Sequence, residues 1–195
     1  MKKKVTIITG CILIVSVLVW GIYTQLIKPI DCKIKAISCT TWDATYSSLE
    51  SFHETYHSGD LEENDRVIYS YDGTLPSDNE KDYMDFYYEV EINNRSLTED
   101  FSVNAIVTSI DKYSERVLYV YNSDQMLPGH VFKMSKGGVK VLFTAYIGDM
   151  TDEQIKEMAK SVKIRTTVEG EGIPCRVQNI SCGTCNNIEI ENLLS

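Results

Sequence analysis

The sequence predicts a mainly β protein, an antiparallel β-sandwich with one short helix, preceded by a single N-terminal transmembrane helix. Three observations lead there. Val5 to Ile27 is an unbroken run without a charge, directly after Lys2, Lys3 and Lys4. Downstream, apolar and polar residues alternate with period two in one segment after another, with polar turns between them. A single stretch beginning at Thr151 changes to helical spacing behind a capping signal.

The N-terminal run sets the topology. As a helix it would be about 35 Å long, enough to cross a hydrocarbon core of about 30 Å with some tilt. Positive charge stays on the cytoplasmic side, and aromatic rings favour the interface, where Trp20 and Tyr23 would sit. The expected organisation is residues 1–4 in the cytoplasm, 5–27 in the membrane, and an extracytoplasmic domain over 28–195. A cleaved secretory signal would carry an apolar core of only about 7–15 residues and a small-x-small site; no alanine occurs before Ala36. Ile8-Thr9-Gly10-Cys11 has the form of a lipobox, but such signals place their apolar region before the cysteine. Here the strongest run, Ile12 to Trp20, follows it. Cys11 therefore reads as a small apolar residue of the helix.

Beyond the anchor about 168 residues remain, one ordinary domain with room for a core. The chain carries a net charge of −9, so without the three N-terminal lysines the outer part stands near −12. Phosphate backbones would be repelled, which excludes nucleic acid as a partner. No basic run offers itself to anionic lipid.

In order, the elements read as follows. Cys32, Ile34 and Ala36 share one face of a first strand, with Lys33 and Lys35 on the other. Trp42 to Asp65 is polar with isolated aromatics; Leu49, Phe52 and Tyr56 fit one face of a short helix that Gly59 would end. Arg66 to Tyr71 reads as a short strand closed by Asp72-Gly73. Phe86, Tyr88, Val90 and Ile92 alternate with Tyr87, Glu89 and Glu91, the pattern of a strand with one wet face. Phe101, Val103, Ala105 and Val107 continue it, then Arg116 to Tyr121, a short strand near Val131 to Met134, and Val139 to Ile147. Thr151-Asp152-Glu153-Gln154 is a capping box, and Ile155, Met158, Ala159 and Val162 form the apolar stripe of its helix. A last strand runs from Val162 to Val168, and a cysteine-containing tail follows the Glu169-Gly170-Glu171-Gly172 turn.

Two of these features carry a resemblance. The Tyr-x-Val-x-Ile-Asn strand end, Tyr88 to Asn93, is one. The other is the passage Gly148-Asp149-Met150-Thr151-Asp152-Glu153, from a late strand into a short helix and a last strand. The span from Asp85 to Val168 resembles immunoglobulin-like domains on membrane-anchored surface proteins of Gram-positive bacteria. The resemblance implies an architecture and a cell-surface location, and no chemistry.

Four groups of residues could carry chemistry. His53-Glu54-Thr55-Tyr56-His57 is an HExxH, which on a helix would set two imidazoles toward zinc with Glu54 activating water, as in zinc metalloproteases. It lies in poor company: Glu50 and Gly59 flank it, and Asp60 and Glu63 occupy the places where the metzincin extension needs Gly and His. Cys32, Cys39, Cys175, Cys182 and Cys185 all fall in a disulfide-permissive compartment, and the two ends of a sandwich often meet, so the first pair could join the last group. Cys182-Gly183-Thr184-Cys185 has the thioredoxin spacing without a βαβ setting, and its two thiols with two others could instead bind zinc. His130, in Pro-Gly-His, reads as a solvated loop residue, and Tyr87, Tyr113 and Tyr121 as exposed rings that could form a contact surface. The acidic turn Asp60 to Asp65 lacks a calcium-loop pattern.

With no complete catalytic set and no cofactor motif, the expected function is a non-catalytic binding or accessory module at the cell surface. It would be held in the membrane through residues 5–27 and would meet an extracellular protein or a cell-wall ligand. The alternatives are a zinc-dependent hydrolase through His53, Glu54 and His57, and a thiol-redox protein through Cys182 and Cys185.

Overall fold

The computed structural model describes residues 2–23, 25, 28–42, 76–110, 112–123, 129–171 and 177–190, with side chains in the first helix from residue 8 onward. The expected helix at 46–56, the expected strand at 66–71 and the HExxH at 53–57 lie outside the described residues.

Helix α1 spans Lys2–Ile22. Nine strands follow: β1 (Ile30–Thr41), β2 (Tyr83–Asn94), β3 (Phe101–Ile110), β4 (Val117–Tyr121), β5 (Gly129–Val131), β6 (Lys136–Tyr146), β7 (Val162–Gly170), β8 (Val177–Ser181) and β9 (Ile188–Ile190), with α2 (Asp152–Ser161) between β6 and β7. They form two sheets, β4-β6-β2-β1-β9 and β5-β3-β7-β8. Every pairing is antiparallel except the parallel one between β1 and β9. A mainly β protein of two sheets with few helices is what a β-sandwich requires.

The core lies between the sheets and draws on the alternating residues. Phe86, Tyr88, Val90 and Ile92 of β2 face Phe101, Val103, Ala105 and Val107 of β3 across it, with Val139, Val141, Phe143 and Ala145 from β6. Phe143 stacks on Phe86 with ring centroids 4.5 Å apart. The capping box of α2 is present in both directions: Gln154 N–H donates to the Thr151 hydroxyl and Thr151 N–H to the Gln154 side chain. Its stripe of Ile155, Met158 and Ala159 is buried, and the Tyr88 hydroxyl donates to the Ala159 carbonyl at 2.8 Å, which pins the helix to the core. A second, smaller cluster of Trp42, Tyr83 and Leu118, flanked by Tyr119 and Tyr146, closes around the start of β2.

β1 departs from the expected alternation. Its register against β2 shifts between Ile34 and Ala36, a bulge at Lys35. Strict period two would have placed Ala36, Ser38 and Thr40 inside. The extra residue moves Ile37 and Cys39 to the core and leaves Ala36 half-buried, so apolar side chains win the interior. The strand expected near Val131 to Met134 is instead Gly129–Val131, and Met134 sits in the following turn with φ 53°. The segment read as a tail is built into both sheets: β8 pairs with β7, and β9 pairs with β1. Tyr113, expected at the surface, is buried, and its hydroxyl donates to Glu157 at 2.8 Å. Tyr121 is exposed as expected.

Among the described residues, no side chain of α1 belongs to either core cluster. Every described large apolar side chain from Ile8 to Ile22 is more than half exposed. Among the described residues no helix is long and apolar enough to cross a membrane.

Candidate functional site

The two ends of the domain meet at the cysteines. β1 points Cys32 and Cys39 into the core, and the segment between β8 and β9 buries Cys182 and Cys185. The fully buried Thr166 hydroxyl of β7 lies 3.0 Å from the Cys182 sulfur and is also a hydrogen-bond partner of Cys32. Cys182 N–H donates to the Ile164 carbonyl at 2.9 Å, and the Cys185 thiol donates to the Lys35 carbonyl at 3.5 Å. Lys35 is the bulged residue of β1, so the irregularity that restores the core also brings a carbonyl to Cys185. Cys32, Cys39, Cys182 and Cys185 are all free thiols, and Cys175 lies outside the described residues.

The electrostatics of Cys32, Cys39 and Cys182 argue against their nucleophilic use. Burial pushes Cys32 up to about 12, with the neighbouring Cys182 and Asp31 adding to the effect. Burial alone pushes Cys39 up to about 12. Cys182 is also raised, first by burial. A redox-active CxxC needs a lowered pKa and the start of a helix. Cys182 is raised instead, and neither Cys182 nor Cys185 stands at a helix start, since the segment between β8 and β9 is irregular.

A second convergence lies on the outward face of the β5-β3-β7-β8 sheet. His130 stands on β5 rather than in a loop, in register with Ser102 of β3, which is itself paired with Glu169 of β7. His130 Nδ1 is 3.3 Å from Glu171 Oε1. With Asp100 these residues bring three donor atoms within 4.8 Å of one another. One imidazole and two carboxylates are a donor set that zinc or manganese accepts. Asp100 already accepts from Lys133 N–H at 2.6 Å, and the three side chains are half-buried to exposed. Beside them Ser102, Val103, Asn104, Thr167 and Glu169 line an open groove of about 240 Å³. Hydroxyls, an amide and a carboxylate suit contact with a polar ligand. Sequence spacing could not have found this group, because its members come from residues 100, 130 and 171 and meet only through strand pairing.

No family model matches the chain, and no curated protein matches it either.

Proposed function

We propose that the chain is a single-pass membrane protein that holds an immunoglobulin-like sandwich outside the cell as a non-catalytic binding or accessory module. Residues 1–4 lie in the cytoplasm, 5–27 cross the membrane, and 28–195 are extracytoplasmic. The observation that carries this reading is the described part of α1: its large apolar side chains from Ile8 to Ile22 are exposed and belong to neither core cluster. A helix of that kind belongs in a large protein interior or in a bilayer. Val5, Thr6 and Ile7 extend the uncharged run ahead of the exposed residues, and Lys2, Lys3 and Lys4 fit the inner surface.

The strand order supports the finer description of the sandwich. β1, β2, β4 and β6 share one sheet while β3, β5, β7 and β8 share the other, so the chain passes repeatedly from layer to layer as immunoglobulin-like domains do. Location outside the cell is consistent with an outer part near −12, which keeps the domain soluble. The groove on β3 and β7 is the place where a protein or cell-wall ligand would meet the domain.

The full chain should remain in the membrane pellet after an alkaline carbonate wash and leave it only with detergent. Release by carbonate would contradict the anchor. An impermeant cross-linker applied to intact cells should join the domain to a defined surface protein or wall fragment. A domain that stays uncoupled throughout would remove the binding role.

A further inference from the structure

The end of the sandwich from which α1 departs is built to be firm. The buried Asn94 amide donates to the carbonyls of Glu99, Val131 and Phe132, and its oxygen accepts from Ser96 N–H. Met134 N–H donates to the Ser96 carbonyl at 3.0 Å, and Asn94 N–H to that of Ser135 at 2.9 Å. The β2–β3 loop and the β5–β6 turn are thereby tied side by side. From this platform Leu97, Phe132 and Met134 project, each 62 % exposed. Met134 does so from a left-handed backbone conformation that disfavours a long side chain.

The anchor emerges against the same platform. Gln25 donates to the Arg95 carbonyl at 2.6 Å and accepts from Leu97 N–H at 2.7 Å. Arg95 N–H donates to the Pro29 carbonyl at 2.7 Å, and Lys28 N–H to that of Tyr23 at 2.8 Å. Gln25 and Pro29 thus tie the chain just after α1 to the loop that carries Leu97, which sets the level at which α1 would leave the bilayer close to that of these apolar side chains. Lys28 and Lys133 are both exposed and suit lipid phosphates; Asp100 accepts from the Lys133 N–H, and Glu171 is grouped with Asp100.

From this juxtaposition we infer that Leu97, Phe132 and Met134 form a foot that rests in the headgroup and acyl boundary of the outer leaflet carrying α1. The inference depends on the membrane topology proposed above. Its occupant is lipid: three separate apolar side chains, rather than a groove, at the exit of an apolar helix are the arrangement of an interfacial anchor. The foot holds the sandwich at a fixed height and leaves the groove on β3 and β7 open to the side.

The test is spin labelling of the full chain in vesicles of phosphatidylcholine with phosphatidylglycerol. Labels are placed at Leu97→Cys and Met134→Cys, at Glu153→Cys on α2, and at Cys11 in α1. The ratio of oxygen to aqueous nickel-complex collisions should be several-fold higher at residues 97 and 134 than at 153. Equal ratios at 97, 134 and 153 with Cys11 still inaccessible to nickel would overturn the foot and leave the anchor standing. Nickel access at Cys11 would overturn the anchor as well. Dipolar broadening between labels at 97 on separate molecules would overturn the lipid assignment in favour of a second copy of the chain.

Discussion

Replacing Phe143 by alanine lowers the unfolding free energy of the sandwich by about 3–5 kcal/mol, the range for emptying an aromatic site in a core that cannot collapse. Phe143 lies at the middle of β6 with no exposure, stacked on Phe86 at 4.5 Å and facing Tyr88 at 5.8 Å. Strand pairing prevents closure of the gap, because Phe143 is in register with Phe86 on one side and Val120 on the other. Phe143→Leu retains much of the volume and should lose less. Urea unfolding followed by near-ultraviolet dichroism gives both values. A loss below about 1 kcal/mol for the alanine variant would mean that the two sheets do not share this core.

Stability should also fall steeply in alkali. The thiols of Cys32 and Cys39 are pushed from 9.0 to about 12, so in the folded protein they stay protonated where the unfolded chain ionises. A pKa raised on folding contributes stability that is complete below the unfolded value and is lost as pH rises through the folded one. The window is therefore pH 9 to about 12. Within it each thiol removes on the order of 1.4 kcal/mol per pH unit. Tyr88, raised well above 10 by burial, steepens the fall in the upper part of that range. A Cys32→Ala/Cys39→Ala variant, compared by urea unfolding at pH 8 and pH 11, should lose markedly less over that interval than the unsubstituted chain. Equal losses would show that these thiols are not held protonated by burial. Alkylation at pH 8 should leave both unmodified until the domain unfolds.

Some of this architecture was written in local pattern. β7 buries alternate side chains over its whole length, β2 does so from Phe86 onward and β3 from Phe101 to Val107, so the period locates these strands and their inner faces, whereas β6 buries Val141 to Ala145 without a break. α2 announces itself because Thr151 and Gln154 satisfy each other's backbone amides without help from the rest of the fold. The bulge at Lys35 has no local signature, since it exists to reconcile β1 with the register of β2. β8 and β9 were invisible for another reason. An edge strand such as Val177–Ser181 is secured by backbone bonds to β7 and needs little apolar content, so its polar residues read as a tail. Tyr113 was misplaced because a neighbouring aspartate and lysine suggest a solvated turn, whereas Glu157 of α2 folds over its hydroxyl.

The candidate sites divide the same way. That cysteines from both ends of the chain would gather could be anticipated from the habit of first and last strands to lie together. Their burial against Thr166 could not, because Thr166 stands in an ordinary alternating strand. The group of Asp100, His130 and Glu171 depends wholly on pairing among β5, β3 and β7. His53, Glu54 and His57 fall outside the described residues.

The central claim is the topology, and protease treatment of intact cells tests it most directly. The full chain is expressed with one epitope before Met1 and another after Ser195, and external protease is added before and after lysis. On the proposed topology the C-terminal epitope is lost from intact cells, while the N-terminal epitope survives on a short membrane-bound fragment. Protection of the C-terminal epitope until lysis, or recovery of the intact chain in the soluble fraction, would contradict it.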